Sequence, residues 1–272
     1  MINSNGNLIS GFNEIPEEFI KNLHTHLSVL EVLRYENKTI LFWELHYFRI
    51  ITVLRRLRFE IPMNYTMEYL KEEVVKLMNI QLSNENSALI TIQFIPYQDS
   101  IGFLMSFIKV KSFYKIEPLE NYIVDLFKEG SIQSNNLSNL STTNTTLFNI
   151  AKKYAKENGF DDCVILNDQK KLTETIQGSL YLLQDDKILT PALKSGCQDF
   201  ALRSAFNEWL ENKQKLFTLI KKEISPFELQ KSNEIMVLSL KHGYQGISHY
   251  RKSTYISNQL KELFNSFIQD IC

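Results

Sequence analysis

Apolar residues recur at helical spacing in some stretches of this chain and at strand spacing in others. In residues 42–58, FWELHYFRIITVLRRLR, positions Trp43, Tyr47, Ile50, Ile51, Leu54 and Leu57 form one stripe, as an amphipathic helix requires, and Pro62 closes the segment. Residues 66–80 repeat the pattern as a second helix, with Thr66 placed near its cap. The period then changes. Residues 88–96 (ALITIQFIP) and 103–114 (FLMSFIKVKSFY) are β-branched and aromatic, which predicts two paired strands joined by a loop over 97–102. Residues 122–127 predict a further short strand. Up to that point the layout is helices on an antiparallel sheet, an α+β fold.

Residues 131–146, SIQSNNLSNLSTTNTT, carry no charge and are mostly Ser, Asn and Thr, the composition of an interdomain linker. Beyond it the pattern predicts a helix over 147–158, strands over 163–166, 172–175, 179–184 and 187–189, and a helix over 199–221. Strands over 234–240 and 244–247 and an amphipathic helix over 255–270 complete it. Asp185-Asp186 supplies the tight turn between two of these strands. The expected organisation is an N-terminal α+β domain at 1–127, an interdomain loop at 128–146 and a C-terminal domain at 147–272.

Composition narrows the class. With 44% hydrophobic and 22% charged residues, the chain can build a real core, and 9 Gly and 6 Pro exclude fibrous or disordered character. A net charge of −1 gives no electrostatic case for nucleic acid or an anionic membrane. No apolar run reaches the length of a membrane span, and the polar, acidic N-terminal stretch lacks the pattern of a secretory signal. Cys163, Cys197 and Cys272 are far apart and have no metal-ligand spacing, so no metal site is expected and a reduced cytoplasmic setting fits.

Several strings carry a resemblance. Leu30-Glu31-Val32-Leu33-Arg34, then Asn37-Lys38, then residues 42–49 with His46 and Arg49 in a His-x-x-Arg context come first. Residues 155–167, Leu172-Thr173-Glu174-Thr175, Thr190-Pro191-x-Leu193-x-Ser195-Gly196-Cys197, Ser225-Pro226-x-Glu228-Leu229 and Asn233-Glu234-Ile235 follow in order. In order and spacing this resembles the class IV aminotransferases, the pyridoxal-phosphate (PLP) enzymes of fold type IV. That family includes branched-chain and D-amino-acid aminotransferases and 4-amino-4-deoxychorismate lyase. The resemblance implies two α/β domains joined by a polar interdomain loop, PLP as the family's cofactor, and a homodimer acting on a small molecule. It assigns Arg49 to the phosphate, Glu174 to the pyridine nitrogen and Ser179 to the position of a cofactor-contacting asparagine.

The family's Schiff-base lysine aligns with Ser141. Glu174 follows Ser141 by 33 residues, the spacing the resemblance predicts, and Asn144 matches an asparagine three residues after the lysine. An alcohol cannot form an imine, and at its ordinary pKa it is a poor base. Lys152 and Lys153 lie on the predicted 147–158 helix, several turns beyond. Other departures fall on cofactor contacts too. A phosphate-turn glycine reads Phe200, although Arg203 is kept; a Thr-Asn pair reads Leu238-Ser239; a Gly-Asp signature reads Leu27-Ser28.

Bland readings stand beside these assignments. Glu174 alone reads as an exposed acid at a strand end. His46, Arg49, Val53 and Arg56 share one helix face, which reads either as an anion site towards the second domain or as a solvated basic face, with Arg55, Arg56 and Arg58 favoured at a helix C-terminus. The expected function is a class IV aminotransferase or aminodeoxychorismate lyase-like protein without PLP-dependent catalysis. The alternative is a working PLP-dependent aminotransferase or 4-amino-4-deoxychorismate lyase, which leaves enzyme status open. A third reading recruits Ser141, His46 or His242 to other chemistry, and no partner base is evident for it.

Overall fold

The computed structural model describes residues 1–79, 87–256 and 258–271. Ile80, Ser257 and Cys272, which fall in the sequence readings above, lie outside them. The chain divides into two units, Met1–Lys115 with Ser141–Asn144, and Ile116–Leu140 with Thr145–Cys272.

The first unit contains β1 (Ile2–Ser4), β2 (Asn7–Ile9), α1 (Glu17–Thr25), β3 (Val29–Glu36), β4 (Thr39–Ile40), α2 (Trp43–Arg56), α3 (Met67–Asn79), β5 (Ser87–Tyr97) and β6 (Ser100–Lys109). Its antiparallel sheet runs β2-β1-β6-β5-β3-β4. Both predicted helices form where the apolar stripe placed them, and Thr66 caps α3 by accepting the Tyr69 N–H at 3.1 Å. The predicted 97–102 loop is tighter than expected. Tyr97 pairs with Ser100, so strand pairing continues almost to the turn, where Gln98 takes a left-handed φ of 53°. Helix α1 escaped the sequence reading; Phe19 buries against Ile2, Ile15 and Ile95.

The second unit contains β7 (Ile123–Leu126), α4 (Thr146–Glu157), β8 (Asp162–Leu166), β9 (Leu172–Thr175), β10 (Ser179–Gln184), β11 (Lys187–Pro191), α5 (Ala201–Asn212) and β12 (Thr218–Lys222). It continues with α6 (Phe227–Lys231), β13 (Glu234–Ser239), β14 (Gly243–Gly246), β15 (His249–Tyr250), β16 (Ser253–Thr254) and α7 (Gln259–Ile271). Two five-stranded sheets run β12-β11-β10-β13-β14 and β16-β15-β7-β8-β9. Val124 and Leu172 of one share a core with Leu180, Leu182, Ile235 and Val237 of the other. On a further face, Tyr181 of β10 meets Phe206 of α5, which packs on Phe267 of α7 with ring centroids 5.2 Å apart.

Two expectations need correction. The strand at 122–127 was placed in the N-terminal domain, but β7 pairs in parallel with β8 and β15 and so belongs to the second unit. The helix expected over 199–221 ends at Asn212. Gln214 closes the break: its Oε1 accepts the Leu216 and Phe217 N–H groups, and its Nε2 donates to the Leu210 and Phe217 carbonyls. The chain then forms β12, parallel to β11 from Thr218 opposite Lys187 to Lys222 opposite Pro191.

Candidate functional site

Alternation along β3 sends Glu31 towards α2, where His46 and Arg49 stand one turn apart. His46 Nδ1 lies 2.6 Å from Glu31 Oε1, and Arg49 Nη1 donates to the same oxygen at 3.2 Å. Glu31 and His46 are buried. Glu31 Oε2, His46 Nε2 and the buried Ser28 Oγ have no hydrogen-bond partner among the described residues. On the basic face of α2, His46 and Arg49 are thus engaged by a buried acid, whereas Arg56 at its C-terminal end is exposed. Val53 is buried, and Arg55 and Arg58 are exposed as well. Glu31 was missed as the hub of this cluster; an acid at a core-facing position of an alternating strand was the available signal.

Ser141 lies along the part of β3 that β4 leaves unpaired. Its hydroxyl donates to the Leu30 carbonyl, and the Leu30 N–H donates to the Ser141 carbonyl at 3.2 Å. Thr142 bridges Val29, and the Thr143 N–H donates to the Ser28 carbonyl at 3.0 Å. Asn144 is exposed. Among the described residues every lysine is exposed except Lys171, which is half-buried; Lys152 and Lys153 lie in water on α4.

In the second unit, Glu174 is buried rather than exposed at a strand end. It sits in an irregular stretch of β9: Val164 pairs with Thr175 and Leu166 with Leu172, so Thr173 and Glu174 together oppose Ile165. Such a bulge re-aims a side chain that regular alternation would place elsewhere. Glu174 Oε2 accepts the Gln198 N–H at 3.3 Å. Gln198 Nε2 in turn donates to the Ser138 and Leu140 carbonyls at 3.3 and 3.2 Å. Asn139 Nδ2 donates to the Leu193 and Cys197 carbonyls. Residues 138–140 are thus pinned rather than forming a free linker. Gln198 was invisible to sequence reasoning, because a glutamine between a cysteine and an aspartate carries no spacing signal.

Phe200 stands at the N-cap of α5 in extended backbone, without a side-chain cap hydrogen bond. Arg203 is buried, and its guanidinium is engaged by protein groups. Nη2 donates to the Pro191 carbonyl, and Nη1 lies 3.3 Å from Cys197 Sγ and 3.4 Å from the Gln198 carbonyl. Burial pushes the Cys197 thiol up to about 11, so it stays protonated and unreactive at neutral pH. Ser179 starts β10 directly opposite the buried Leu238 of β13, and its Oγ has no hydrogen-bond partner among the described residues. His242 lies in the turn between β13 and β14. Among the described residues no group of three His, Cys, Asp or Glu is arranged to hold a metal, and no helix is long and apolar enough to cross a membrane.

A family model for amino-transferase class IV matches residues 28–250. The chain belongs to the class IV aminotransferase family. Solved structures of this fold superpose over nearly its whole length. A branched-chain amino acid aminotransferase from Escherichia coli is 14% identical, covers 98% of this chain and 93% of its own, and gives a TM-score of 0.84. A putative 4-amino-4-deoxychorismate lyase from Legionella pneumophila is 13% identical, with coverages of 95% and 97% and a TM-score of 0.82. A hypothetical aminotransferase from Mycobacterium tuberculosis, in an α-ketoglutarate and PMP bound form, is 11% identical, with coverages of 100% and 98% and a TM-score of 0.82. Identities this low establish the class IV fold alone. Comparison with curated proteins gives no match.

Proposed function

We propose that this class IV aminotransferase-family protein does not carry out PLP-dependent transamination or lyase chemistry. The observation that carries the reading is Ser141. By the resemblance of the strings around it, it takes the position of the Schiff-base lysine; it bears an alcohol, and its hydroxyl is bonded to the Leu30 carbonyl. The group that would covalently hold PLP is missing, and the distribution of lysines offers no replacement beside it: all described lysines but Lys171 project into solvent. The turn that would receive a phosphate is also altered. Phe200 replaces a glycine at the start of α5, where backbone N–H groups otherwise approach an anion. The residues present therefore do not fit PLP as a covalently held cofactor. What is retained is a fold able to bind a small molecule, with a homodimer in a reduced cytoplasmic setting as the accompanying proposal. The free, buried thiols of Cys163 and Cys197 agree with that setting.

The alternative, a working PLP-dependent aminotransferase or 4-amino-4-deoxychorismate lyase, is favoured by one observation, the buried Glu174. One experiment separates the two readings. The purified protein is mixed with PLP, reduced with borohydride and digested for peptide mass analysis. The expected result is no lysine modified stoichiometrically. A single lysine carrying the reduced cofactor in nearly every chain establishes the alternative.

A further inference from the structure

A cleft of 710 Å³ opens within the second unit, walled by the end of β7, the β8–β9 turn, the start of α6 and the β15–β16 turn. That volume suits a small organic molecule. Its charge is distinctive. Lys128, Lys170, Lys171 and Arg251 line it against only Glu129 and Asp168, in a chain whose net charge is −1. Arg251 already faces Asp125 outside the cleft at 3.4 Å, and Asp168 accepts the Ser134 N–H at 3.1 Å. The three lysines form no ion pair among the described residues. The apolar part is equally specific. Phe227, at the first turn of α6, lines the cleft with 72% of its surface exposed, an aromatic face held in water beside uncommitted cations.

We infer that this cleft binds a small organic oxyanion, a phosphate or carboxylate, carried on an aromatic body. Lys128, which follows β7, and Lys170 and Lys171 of the β8–β9 turn take the charged group. Phe227 takes the ring. A mobile cation on a long stem suits this task, since it keeps its charge in water until the ligand arrives. The inference is independent of the reading of Ser141, because it uses neither Ser141 nor any residue assigned to the cofactor.

The test uses the full-length protein and calorimetric titration with phenyl phosphate, benzoate and inorganic phosphate. Phenyl phosphate is expected to bind saturably, more tightly than inorganic phosphate, and to weaken as salt is added. If the natural anion is a carboxylate, benzoate binds more tightly than phenyl phosphate; either order supports the site. Substituting Lys170→Gly with Lys171→Gln is expected to weaken the aryl ligand by about tenfold or more, the loss of charge-assisted hydrogen bonds. Lys170 has a left-handed φ of 57°, which glycine adopts without strain, so the variant keeps the turn and its melting temperature is not expected to fall. Phe227→Ala is expected to weaken phenyl phosphate while leaving inorganic phosphate unchanged. Unaltered aryl affinity in the double-lysine variant, or no saturable binding of either aryl compound to the parent protein, overturns the inference.

Discussion

Asp162 shows how a buried carboxyl links this fold to pH. It is fully buried at the start of β8; its Oδ1 accepts the Cys163 and Ile176 N–H groups at 2.8 and 3.0 Å, and its Oδ2 accepts the Tyr122 hydroxyl at 3.1 Å. Burial outweighs these bonds and pushes the carboxyl from 3.8 up to about 6. The folded state therefore holds a proton that the unfolded chain has released. Stability from this group is complete below 3.8 and is lost as pH rises through about 6, a change of about 3 kcal/mol. Asp162→Asn keeps the shape and cannot titrate, so the difference in unfolding free energy between parent and variant is expected to move by most of that amount, about 2 kcal/mol, between pH 4 and 7. A parallel pair of stability curves over that range contradicts the assignment. Arg34 belongs to a different kind of network. It is fully buried, bonds Glu36 Oε2 at 3.2 Å and the Lys111 carbonyl, and lies over the Phe113 ring, while Glu36 also accepts Ser87, Ser112 and the Phe113 N–H. Arg34→Ala leaves Glu36 as an uncompensated buried charge, and urea titration is expected to show a loss of about 3–5 kcal/mol. Neither residue was legible as structural in the sequence. An acid or arginine inside a strand has the same letters whether it faces water or the core, and only the register of neighbouring strands decides.

Elements with a strong period were the legible part. Helices α2 and α3 and the β5–β6 pair follow from apolar spacing, because the energy that forms them is the burial of one stripe or one face. The 199–221 segment was misread because its apolar residues continue past Asn212; the break depends on the Gln214 hydrogen bonds, which no periodicity encodes. The Thr175–Gly178 turn between β9 and β10 is a similar case. Gly178 approaches β13 so closely that a Cβ there would stand 2.2 Å from the Leu238 carbonyl oxygen, a backbone atom held by pairing with Ser179. Gly178→Ala must push β13 away from β10 and is expected to cost about 1–3 kcal/mol, with a lowered denaturation midpoint. Gly159 is the contrast: its φ of 72° is left-handed but nothing lies within 4 Å, so Gly159→Ala carries only the conformational cost of about 1 kcal/mol. Equal losses for the two variants would show that the approach to Leu238 is not what fixes Gly178.

At the scale of the whole molecule, the family was legible because motif order survives where identity does not; solved relatives at 11–14% identity still superpose with TM-scores of 0.82–0.84. The candidate site was legible only as positions. The sequence placed Glu174 and Arg49, but not the bulge that turns Glu174, the Gln198 N–H that meets it, or the Glu31 oxygen that Arg49 and His46 share. These contacts join residues distant in the chain, so local pattern announces none of the pairings, and only Glu31, an acid on the buried side of β3, left a trace. If PLP chemistry is absent, as proposed above, one substitution is not expected to supply it. Ser141→Lys supplies an amine and removes the hydroxyl bond to Leu30, yet it leaves Phe200 at the start of α5, Leu238 opposite Ser179, and Arg49 bonded to Glu31. Catalysis needs the cofactor positioned as well as tethered, since a displacement of the reacting atoms by about 1 Å can cost about a hundredfold in rate. The expected outcome is that Ser141→Lys supplied with PLP forms no measurable glutamate from α-ketoglutarate and any of a panel of amino donors. Adding Phe200→Gly is expected to improve retention of the cofactor through dialysis if, as proposed, the backbone N–H groups at the start of α5 are where its phosphate would lie. Transamination by the single variant at rates ordinary for an enzyme, about 1 per second or more, would mean that the lysine alone had been lost and that Phe200 and Leu238 are compatible with a working site.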